Sequence, residues 1–364
     1  MRSELFRSVS FVSFALVSVA ASAVGTTYHV TDLGLLPDTY SSEGAAVNNS
    51  GVAVGVGNDY AGYPYRAFYN SGGSMHGLGT LGGSYSKATA VNASGQIAGI
   101  SESTQGEHAF LYSNGVMHDL GTLGAASNRS QASGINDSGW VVGESRLNTT
   151  ALHAFLYNGA TMSDLGTLGG WDSEAFDINN SGMVTGSSEL ANNQTHAFTY
   201  SNGVMTDLGT LAGGTFSRGF AINDSGQVAG TAGAANGQNH AFIFSSGVMS
   251  DLGTLGGAWS DSLGLNASGT AVGISLRSNG SYAGFVFQNG VMSDLNTMFD
   301  ATSPATYLSE AWGISDTGYI VGTGYVAGGR HAILLTPNAV PEPTTMAALG
   351  LGALAMLRKR RRKA

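Results

Sequence analysis

Apolar residues recur along the chain in short runs, and polar or glycine-rich turns separate the runs. One stretch, residues 218–252, contains four such runs and predicts four strands at 218–223, 227–231, 240–244 and 248–252. Runs such as His-Ala-Phe-Ile-Phe place apolar side chains at odd and even positions alike, so both faces of a strand should be buried. The turn Asn223–Gly226 supplies the asparagine and the glycine that a tight hairpin needs. Each unit is therefore predicted to be a four-stranded antiparallel sheet packed on both faces.

The same unit repeats along most of the chain. The leucine of its Asp-Leu-Gly element falls at positions 33, 78, 120, 165, 208, 252 and 295, a spacing of 42–45 residues. The Asn-x-Ser-Gly turn and the His-Ala-Phe element also occur seven times each when weaker copies are included. Seven four-stranded units of this length predict an all-β, seven-bladed β-propeller over residues 28–336.

The two ends of the repeat region complement each other. Residues 28–34 match a fourth strand without the first three, and residues 331–335 match a third strand without a fourth. The N-terminal strand is therefore predicted to complete the last blade, which removes two open sheet edges.

Composition narrows the classes of partner. The 364 residues include 55 glycines and no cysteine, and only 11% are charged. The absence of cysteine removes disulfides, thiolate catalysis and cysteine zinc sites. Six of the 15 basic residues lie in the last seven positions, so residues 24–340 hold seven basic against 22 acidic residues, a net charge of −15. Such a surface repels phosphate backbones, and nucleic acid is not expected as a partner.

Residues 1–23 have the pattern of a secretory signal peptide. Arg2 and Arg7 lie at the start, an apolar helical run follows over 9–21, and Ala21 and Ala23 form a small-x-small cleavage site. The expected partners of this segment are the Sec translocon and signal peptidase.

Residues 337–364 form a tail of three parts. Pro341, Glu342 and Pro343 precede an apolar helical run over 346–357, and a basic end follows at 358–363. Twelve apolar residues reach about 18 Å, against a hydrocarbon core of about 30 Å, so this is a marginal membrane anchor with a cytoplasmic basic end. The order closely resembles the PEP-CTERM sorting signal of Gram-negative bacteria. The resemblance implies recognition by an exosortase, transient anchoring in the inner membrane, and then release or attachment to the cell surface or its polysaccharide.

The repeat region also resembles bacterial extracellular proteins with HAF repeats. The strict motif stands at His108, His153, His196 and His240, whereas the copies beginning at Arg66, Ala283 and His331 depart from it. The resemblance implies an extracellular location and a repeat architecture, and it implies no reaction.

The repeated histidines are predicted to be structural. One histidine per blade, at His108, His153, His196, His240 and His331, cannot converge on one metal ion. In each strict copy an aspartate lies eleven residues after the histidine, at Asp119, Asp164, Asp207 and Asp251. One interpretation is a stabilising hydrogen bond between the histidine and the aspartate across the hairpin. No cofactor is expected, although the turn acids Asp137, Asp224 and Asp316 leave surface calcium as an alternative.

Charged residues outside the repeat pattern are the candidates for a binding rim. Several fall just before the first strand of a unit, where a propeller loop faces the central channel. This set is Glu43, Lys87, Ser130, Glu174, Arg218, Asp261 and Glu310, with Arg129 and Asp177 nearby.

These residues support two functional hypotheses. The first is a secreted, exosortase-sorted, non-enzymatic propeller that serves as a surface or biofilm-matrix scaffold or binding module, with exopolysaccharide as its expected partner. The alternative is a polysaccharide-active hydrolase or lyase that uses Glu43, Glu174 and Glu310. Two carboxylates within about 5–10 Å in a cleft would favour glycosidic chemistry, and even spacing around a rim would favour the scaffold.

Overall fold

In a computed structural model of the chain, the described residues are 26–59, 65–124, 128–148, 151–304, 306–327 and 329–338. The compact unit Thr27–Asn338 contains 28 strands in seven antiparallel sheets of four. Blade 1 consists of β2 Ser41–Val47, β3 Ala53–Asn58, β4 Tyr65–Ser71 and β5 Ser74–Gly77. Blade 2 consists of β6 Gly82–Val91, β7 Ile97–Ser103, β8 Gly106–Ser113 and β9 Val116–Asp119. Blade 3 consists of β10 Ser130–Ile135, β11 Val141–Arg146, β12 Leu152–Tyr157 and β13 Met162–Asp164.

The last four blades follow the same plan. Blades 4 and 5 are β14 Gly169–Ile178, β15 Val184–Leu190, β16 Thr195–Ser201, β17 Val204–Asp207; and β18 Ser217–Ile222, β19 Val228–Gly233, β20 Asn239–Ser245, β21 Val248–Asp251. Blades 6 and 7 are β22 Gly256–Leu265, β23 Ala271–Arg277, β24 Tyr282–Gln288, β25 Val291–Asp294; and β26 Thr306–Ile314, β27 Ile320–Val326, β28 Gly329–Pro337, β1 Tyr28–Asp32. A 3-10 turn, Leu295–Thr297, follows β25.

The ring closes as the sequence predicts. Strand β1 pairs antiparallel with β28 as the fourth strand of blade 7, in the register Tyr28↔Pro337 to Asp32↔Ile333. The backbone N–H of Leu33 donates to the carbonyl of Ala332 at 3.0 Å and extends this pairing by one residue. The seven-bladed propeller with an N-terminal closing strand is confirmed.

The hydrophobic core lies between blades. In the His-Ala-Phe strand, the alanine and the phenylalanine point to opposite faces, and both are buried in blades 1–5. Among the described residues there are seven apolar clusters, and each combines side chains from two neighbouring blades. This double-faced burial is the reason that the strands lack the alternation of a half-exposed sheet.

A serine near the start of the first strand joins most blades to the preceding one. The Ser86 hydroxyl of blade 2 donates to the carbonyl of Gly79 at 2.6 Å and accepts from the N–H of Ala67 in blade 1 at 3.1 Å. The same double contact recurs at the equivalent serines Ser42, Ser130, Ser173, Ser217 and Ser260.

The glycine of the second strand is required by a close contact inside the blade. The first strand carries a β-bulge, and a Cβ placed on Gly143 would lie 1.9 Å from the carbonyl oxygen of Gln131 across that bulge. The glycine that ends each Asn-x-Ser-Gly turn has a different role, since Gly226 has a φ of 74°.

Candidate functional site

The channel along the propeller axis is lined by the first strand of every blade. At one end lie the starts of first strands, the ends of second strands and the starts of third strands, and we call this the charged face. At the other end lie the Asn-x-Ser-Gly turns and the hairpins between third and fourth strands, and we call this the turn face. All seven basic residues of the propeller lie at the charged face: Arg66, Lys87, Arg129, Arg146, Arg218, Arg277 and Arg330.

The predicted rim residues occupy one equivalent position in each blade. Each lies inside the first strand, opposite the residue that follows the glycine repeated in the second strands, rather than just before the strand as the sequence suggested. In blade 3 the equivalent residue is Gln131, because Ser130 is one of the buried serines that join blades. The seven rim residues are Glu43, Lys87, Gln131, Glu174, Arg218, Asp261 and Glu310.

Arg330 bridges two of the rim carboxylates. Its Nη1 lies 2.8 Å from Glu43 Oε1, and its Nη2 lies 3.2 Å from Glu310 Oε2. The indole N–H of Trp312 also donates to Glu310 at 3.1 Å, and the Asn58 amide donates to Glu43 at 3.3 Å. Partners from blades 1 and 7 thus hold these two carboxylates in place.

A second carboxylate pair lies at the junction of blades 3 and 4. Glu144, on β11, is 9% exposed and forms a 3.3 Å ion pair with Arg129. Burial raises the pKa of Glu144 above its ordinary value, against the attraction of Arg129. Burial, reinforced by the Glu144 carboxylate, raises the pKa of Glu174 to about 7. One member of this pair can therefore hold a proton near neutral pH.

The remaining rim residues differ in their partners. Lys87 and Arg218 are exposed and make no ion pair among the described residues. The Arg218 guanidinium lies over the Phe216 ring, 5.3 Å from its centroid. Asp261 is mostly enclosed, and this burial raises its pKa.

Deeper in the channel the residues that form the wall differ in size from one side to the other. One residue per blade lines this level, and blades 4 to 7 supply Phe176, Phe220, Leu263 and Trp312, whereas blades 1 to 3 supply the small residues Ala45, Thr89 and Ser133. The rings of Phe176 and Phe220 meet edge to face at 5.0 Å. The free space at this level is 170 Å³.

Among the described residues that line this level, Asp177 is the one carboxylate. Its Oδ1 accepts from the N–H of Ile178 at 2.8 Å, and its Oδ2 accepts from the N–H of Ile222 in the next blade at 2.9 Å. Protein surrounds the carboxyl, although the channel leaves part of it open to water. Burial raises its pKa to about 7, against the effect of the two N–H bonds.

A ring of hydrogen bonds closes the turn face. The side-chain amide of each turn asparagine donates to the backbone carbonyl of the equivalent turn residue in the next blade at 3.0–3.3 Å. The donors are Asn48, Asn92, Asn136, Asn179, Asn223 and Asn266. The last turn has Ser315 in place of asparagine, and there Thr317 donates to the carbonyl of Asn49 at 3.1 Å. The asparagine therefore shapes its own turn and also joins it to the next.

The turn acids belong to the same ring. An Oδ1 of Asp137 accepts from the N–H of Ala93 at 2.9 Å, Asp224 accepts from Asn180 at 2.8 Å, and Asp316 accepts from Ala267 at 2.7 Å. Within the described ranges no group of three or more histidine or acidic side chains is arranged to hold a metal ion. The acids thus have a structural use in joining blades.

Five blades contain a histidine–aspartate hydrogen bond between the third and fourth strands. The Nδ1 atoms of His108 and His240 lie 2.8 Å from Asp119 and Asp251, and the remaining pairs have distances of 2.9 Å: His153–Asp164, His196–Asp207 and His331–Asp32. The aspartate also accepts from the N–H two residues later, as Asp119 does from Gly121 at 2.8 Å. The last pair, His331–Asp32, joins the two ends of the ring.

Blades 1 and 6 depart from this pair in different ways. In blade 6 the histidine is replaced by Ala283, and Arg277 binds the retained Asp294 at 2.6 Å instead. In blade 1 both partners change, since Arg66 occupies the histidine position and Gly77 occupies the aspartate position.

Several predicted residues lie outside the described part of the chain. These are the cleavage-site residues Ala21 and Ala23 and the sorting motif Pro341, Glu342 and Pro343. Within the described ranges, no helix has the length and apolar character needed to cross a membrane.

The comparisons with known proteins agree with the fold and the tail. Residues 339–362 match the PEP-CTERM protein-sorting motif. The β-propeller domain of the Trilobed protease from Pyrococcus furiosus, described as having an open velcro topology, is 7% identical with a TM-score of 0.55, covering 86% of this chain and 95% of that one. A puromycin-hydrolyzing peptidase from Mycobacterium tuberculosis is 10% identical with a TM-score of 0.52, covering 87% of this chain and 57% of the peptidase.

A third similar structure is TolB from Acinetobacter baumannii, at 13% identity and a TM-score of 0.46, with 80% of this chain and 65% of TolB covered. This chain therefore spans less than two thirds of the length of TolB and of the peptidase. No curated protein sequence matches it.

These findings define the protein at two levels. The fold is a seven-bladed β-propeller, an architecture that this chain shares with domains of peptidases and that is compatible with an enzyme. The C-terminal motif further identifies an exported, cell-surface protein that is sorted by an exosortase.

Proposed function

We propose that this chain is a non-enzymatic surface or matrix protein of the HAF-repeat type, and that its charged face binds extracellular polysaccharide. Its first 23 residues act as a signal peptide, and its last 28 hold it in the inner membrane until an exosortase acts. The observation that carries the proposal is the concentration of charged side chains of both signs at one face, where all seven propeller cations lie.

The two ends of the propeller lie on the face opposite the proposed binding surface. The N–H of Asn338 donates to the carbonyl of Thr27 at 2.9 Å, so the propeller begins and ends at the turn face. The charged face also presents Trp171, which is 68% exposed, and Tyr325, which is 52% exposed. Exposed aromatic rings beside cations suit hydroxyl-rich polymers that carry acidic groups.

A sedimentation assay with purified extracellular polysaccharide tests the proposal. The double substitution Lys87→Ala and Arg218→Ala at the rim should reduce the bound fraction, and binding should weaken with salt because charges contribute to it. The matched control is Asp137→Asn on the turn face, which changes a charge and keeps an accepting oxygen. Equal loss in both variants, or no binding by the unchanged protein, would contradict the assignment of the charged face.

Deletion of residues 339–364 tests the sorting step. The truncated protein should still fold and leave the cytoplasm, and it should no longer accumulate at the cell surface. Normal surface accumulation of the truncated protein would show that the tail is not the sorting signal in the cell.

The Glu144 and Glu174 pair supports a second candidate, a polysaccharide hydrolase or lyase. A carboxyl that holds a proton near neutral pH close to a second carboxyl is an arrangement used in glycosidic acid–base chemistry. Release of new reducing ends, or of unsaturated sugar ends, from polysaccharide would show cleavage. Loss of that activity in Glu174→Gln, with binding retained, would assign the reaction to this pair.

A further inference from the structure

Blade 1 contains a cavity at the position where other blades have the histidine–aspartate pair. Arg66 stands at the histidine position and Gly77 at the aspartate position, paired across from Gly57 and Phe68 as their equivalents are in other blades. The cavity between blades 1 and 2 measures 480 Å³, which is within the range of small-molecule sites. It opens at the charged face, since Arg66 is near the start of β4.

The backbone does not require glycine at position 77. Gly77 is not in the left-handed region, and a Cβ placed on it would meet only Leu36, at 3.9 Å. An aspartate would therefore fit there as it does in the six other blades. Its absence leaves the Arg66 guanidinium without the carboxylate that Arg277 finds in Asp294.

The other polar groups of the cavity already have partners. The Thr80 hydroxyl donates to the carbonyl of Gly83 at 2.9 Å, and the Ser86 hydroxyl bonds with Gly79 and Ala67. Ser84 donates its N–H and its hydroxyl to Glu102 at 2.6 Å and 2.5 Å, so this neighbouring carboxylate is occupied. Within the described residues Arg66 makes no ion pair or hydrogen bond, so it is the free charged group of the cavity.

The apolar part of the wall is formed by Leu36 and Pro37. A ligand that fits must combine a carboxylate for the guanidinium with an apolar face for this wall. A guanidinium holds a carboxylate through two parallel hydrogen bonds, which favours this anion over a neutral hydroxyl group. A ring of carbon atoms that carries a carboxylate satisfies both requirements.

We propose that the blade 1 cavity binds a carboxylated sugar unit, a uronic acid residue, whose carboxylate takes the place of the missing aspartate. The choice of a sugar acid among carboxylated rings rests on the proposed function in polysaccharide binding. The cavity then gives the propeller one ligand site at a fixed place on the charged face, and the five paired blades have no equivalent site.

Calorimetric titration of the secreted protein with D-glucuronate and D-glucose tests this proposal, because the two sugars differ in the carboxylate at C6. Glucuronate should bind and glucose should not. The double substitution Arg66→His and Gly77→Asp restores the pair of the other blades and should weaken glucuronate binding by about tenfold or more. Arg66→Gln, which removes only the charge, should do the same, and unchanged melting temperatures would show that both variants fold.

Two results would overturn the proposal. Equal binding of glucuronate by the unchanged protein and the pair-restored variant would show that the glucuronate carboxylate does not bind in the blade 1 cavity. Displacement of glucuronate by an equal concentration of inorganic sulfate would indicate a general anion site rather than a sugar site. Polysaccharide sedimentation by the pair-restored variant separates the two proposals. Retained polymer binding without glucuronate selectivity would overturn only the blade 1 site, whereas absence of polymer binding in the unchanged protein would overturn the proposed function.

Discussion

Asp177 should make the propeller less stable as the pH rises. Its pKa is about 7 in the folded chain, against an ordinary value of 3.8. Below about pH 4 the carboxyl is protonated in both the folded and the unfolded chain, and it has no effect on the pH dependence. Between about pH 4 and about pH 7 the unfolded chain releases the proton and the folded chain retains it. The free energy of unfolding therefore falls over this interval and is level above it.

The size of the effect follows from the pKa difference. One pKa unit corresponds to about 1.4 kcal/mol, so a difference of roughly three units gives an upper limit of about 4 kcal/mol. Water in the channel screens the ionised carboxylate and lowers the figure. For a domain of this size, 1 kcal/mol moves the melting temperature by roughly 2 °C, so Asp177 should contribute a fall of up to about 8 °C.

The substitution that isolates this effect is Asp177→Ala. Three other blades have alanine at the equivalent position, at Ala46, Ala90 and Ala221, so the change introduces a side chain that the fold accepts. The variant loses the bonds to two backbone N–H groups, which should lower its stability at pH 5 relative to the unchanged protein. The difference should shrink as the pH rises to 8.

Calorimetric melting at half-unit pH steps from 4 to 8 measures both profiles. Glu174 has a raised pKa in both proteins and cancels in the comparison. Parallel profiles for the unchanged protein and Asp177→Ala would refute the reasoning, because they would show that the channel does not keep this carboxyl protonated.

Three further predictions concern contacts between blades and within a blade. Asn223→Ala removes both a turn hydrogen bond and the contact with the next blade, so it should lower the free energy of unfolding by about 1–3 kcal/mol, measured by denaturant unfolding. Asp32→Asn should speed amide exchange in β1, whereas Asp207→Asn should act only within blade 4; equal effects on β1 would contradict the role of His331–Asp32 in closure. Gly143→Ala places a methyl group 1.9 Å from a backbone oxygen and should prevent formation of blade 3, seen as loss of soluble secreted protein, with normal yield contradicting the close contact.

The sequence was sufficient to predict the architecture because each unit repeats the same pairing signals. In blade 5 the predicted first strand, 218–223, is observed as Ser217–Ile222, and the predicted third strand, 240–244, as Asn239–Ser245. Differences of one residue arise because ladder pairing, rather than apolar character, sets the last residue of a strand. The closure could also be predicted, since two incomplete units at the chain ends add up to one blade.

The side-chain contacts of the channel could be predicted less completely from the sequence. The rim position in blade 3 was placed one residue early, at Ser130, because the buried serine and the rim residue are adjacent and only the bulge register distinguishes them. Glu144 was missed because it lies on a second strand, where other blades have residues such as Val56. Arg330 was missed because its two partners lie 20 and 287 positions away and meet only in the closed ring.

The pairing of β1 with β28 also bears on the order of events during export. Strand β1 has its partner more than 300 residues later, so in the proposed export from the N-terminus it must wait for that partner. Until then Tyr28 and Val30, both buried in the finished protein, have no apolar neighbours from blade 7. Contacts between such distant positions form late and slowly, which leaves the nascent strand open to unwanted association. The last blade can thus be assembled only when nearly all of the polypeptide has reached the outside, shortly before the sorting tail follows.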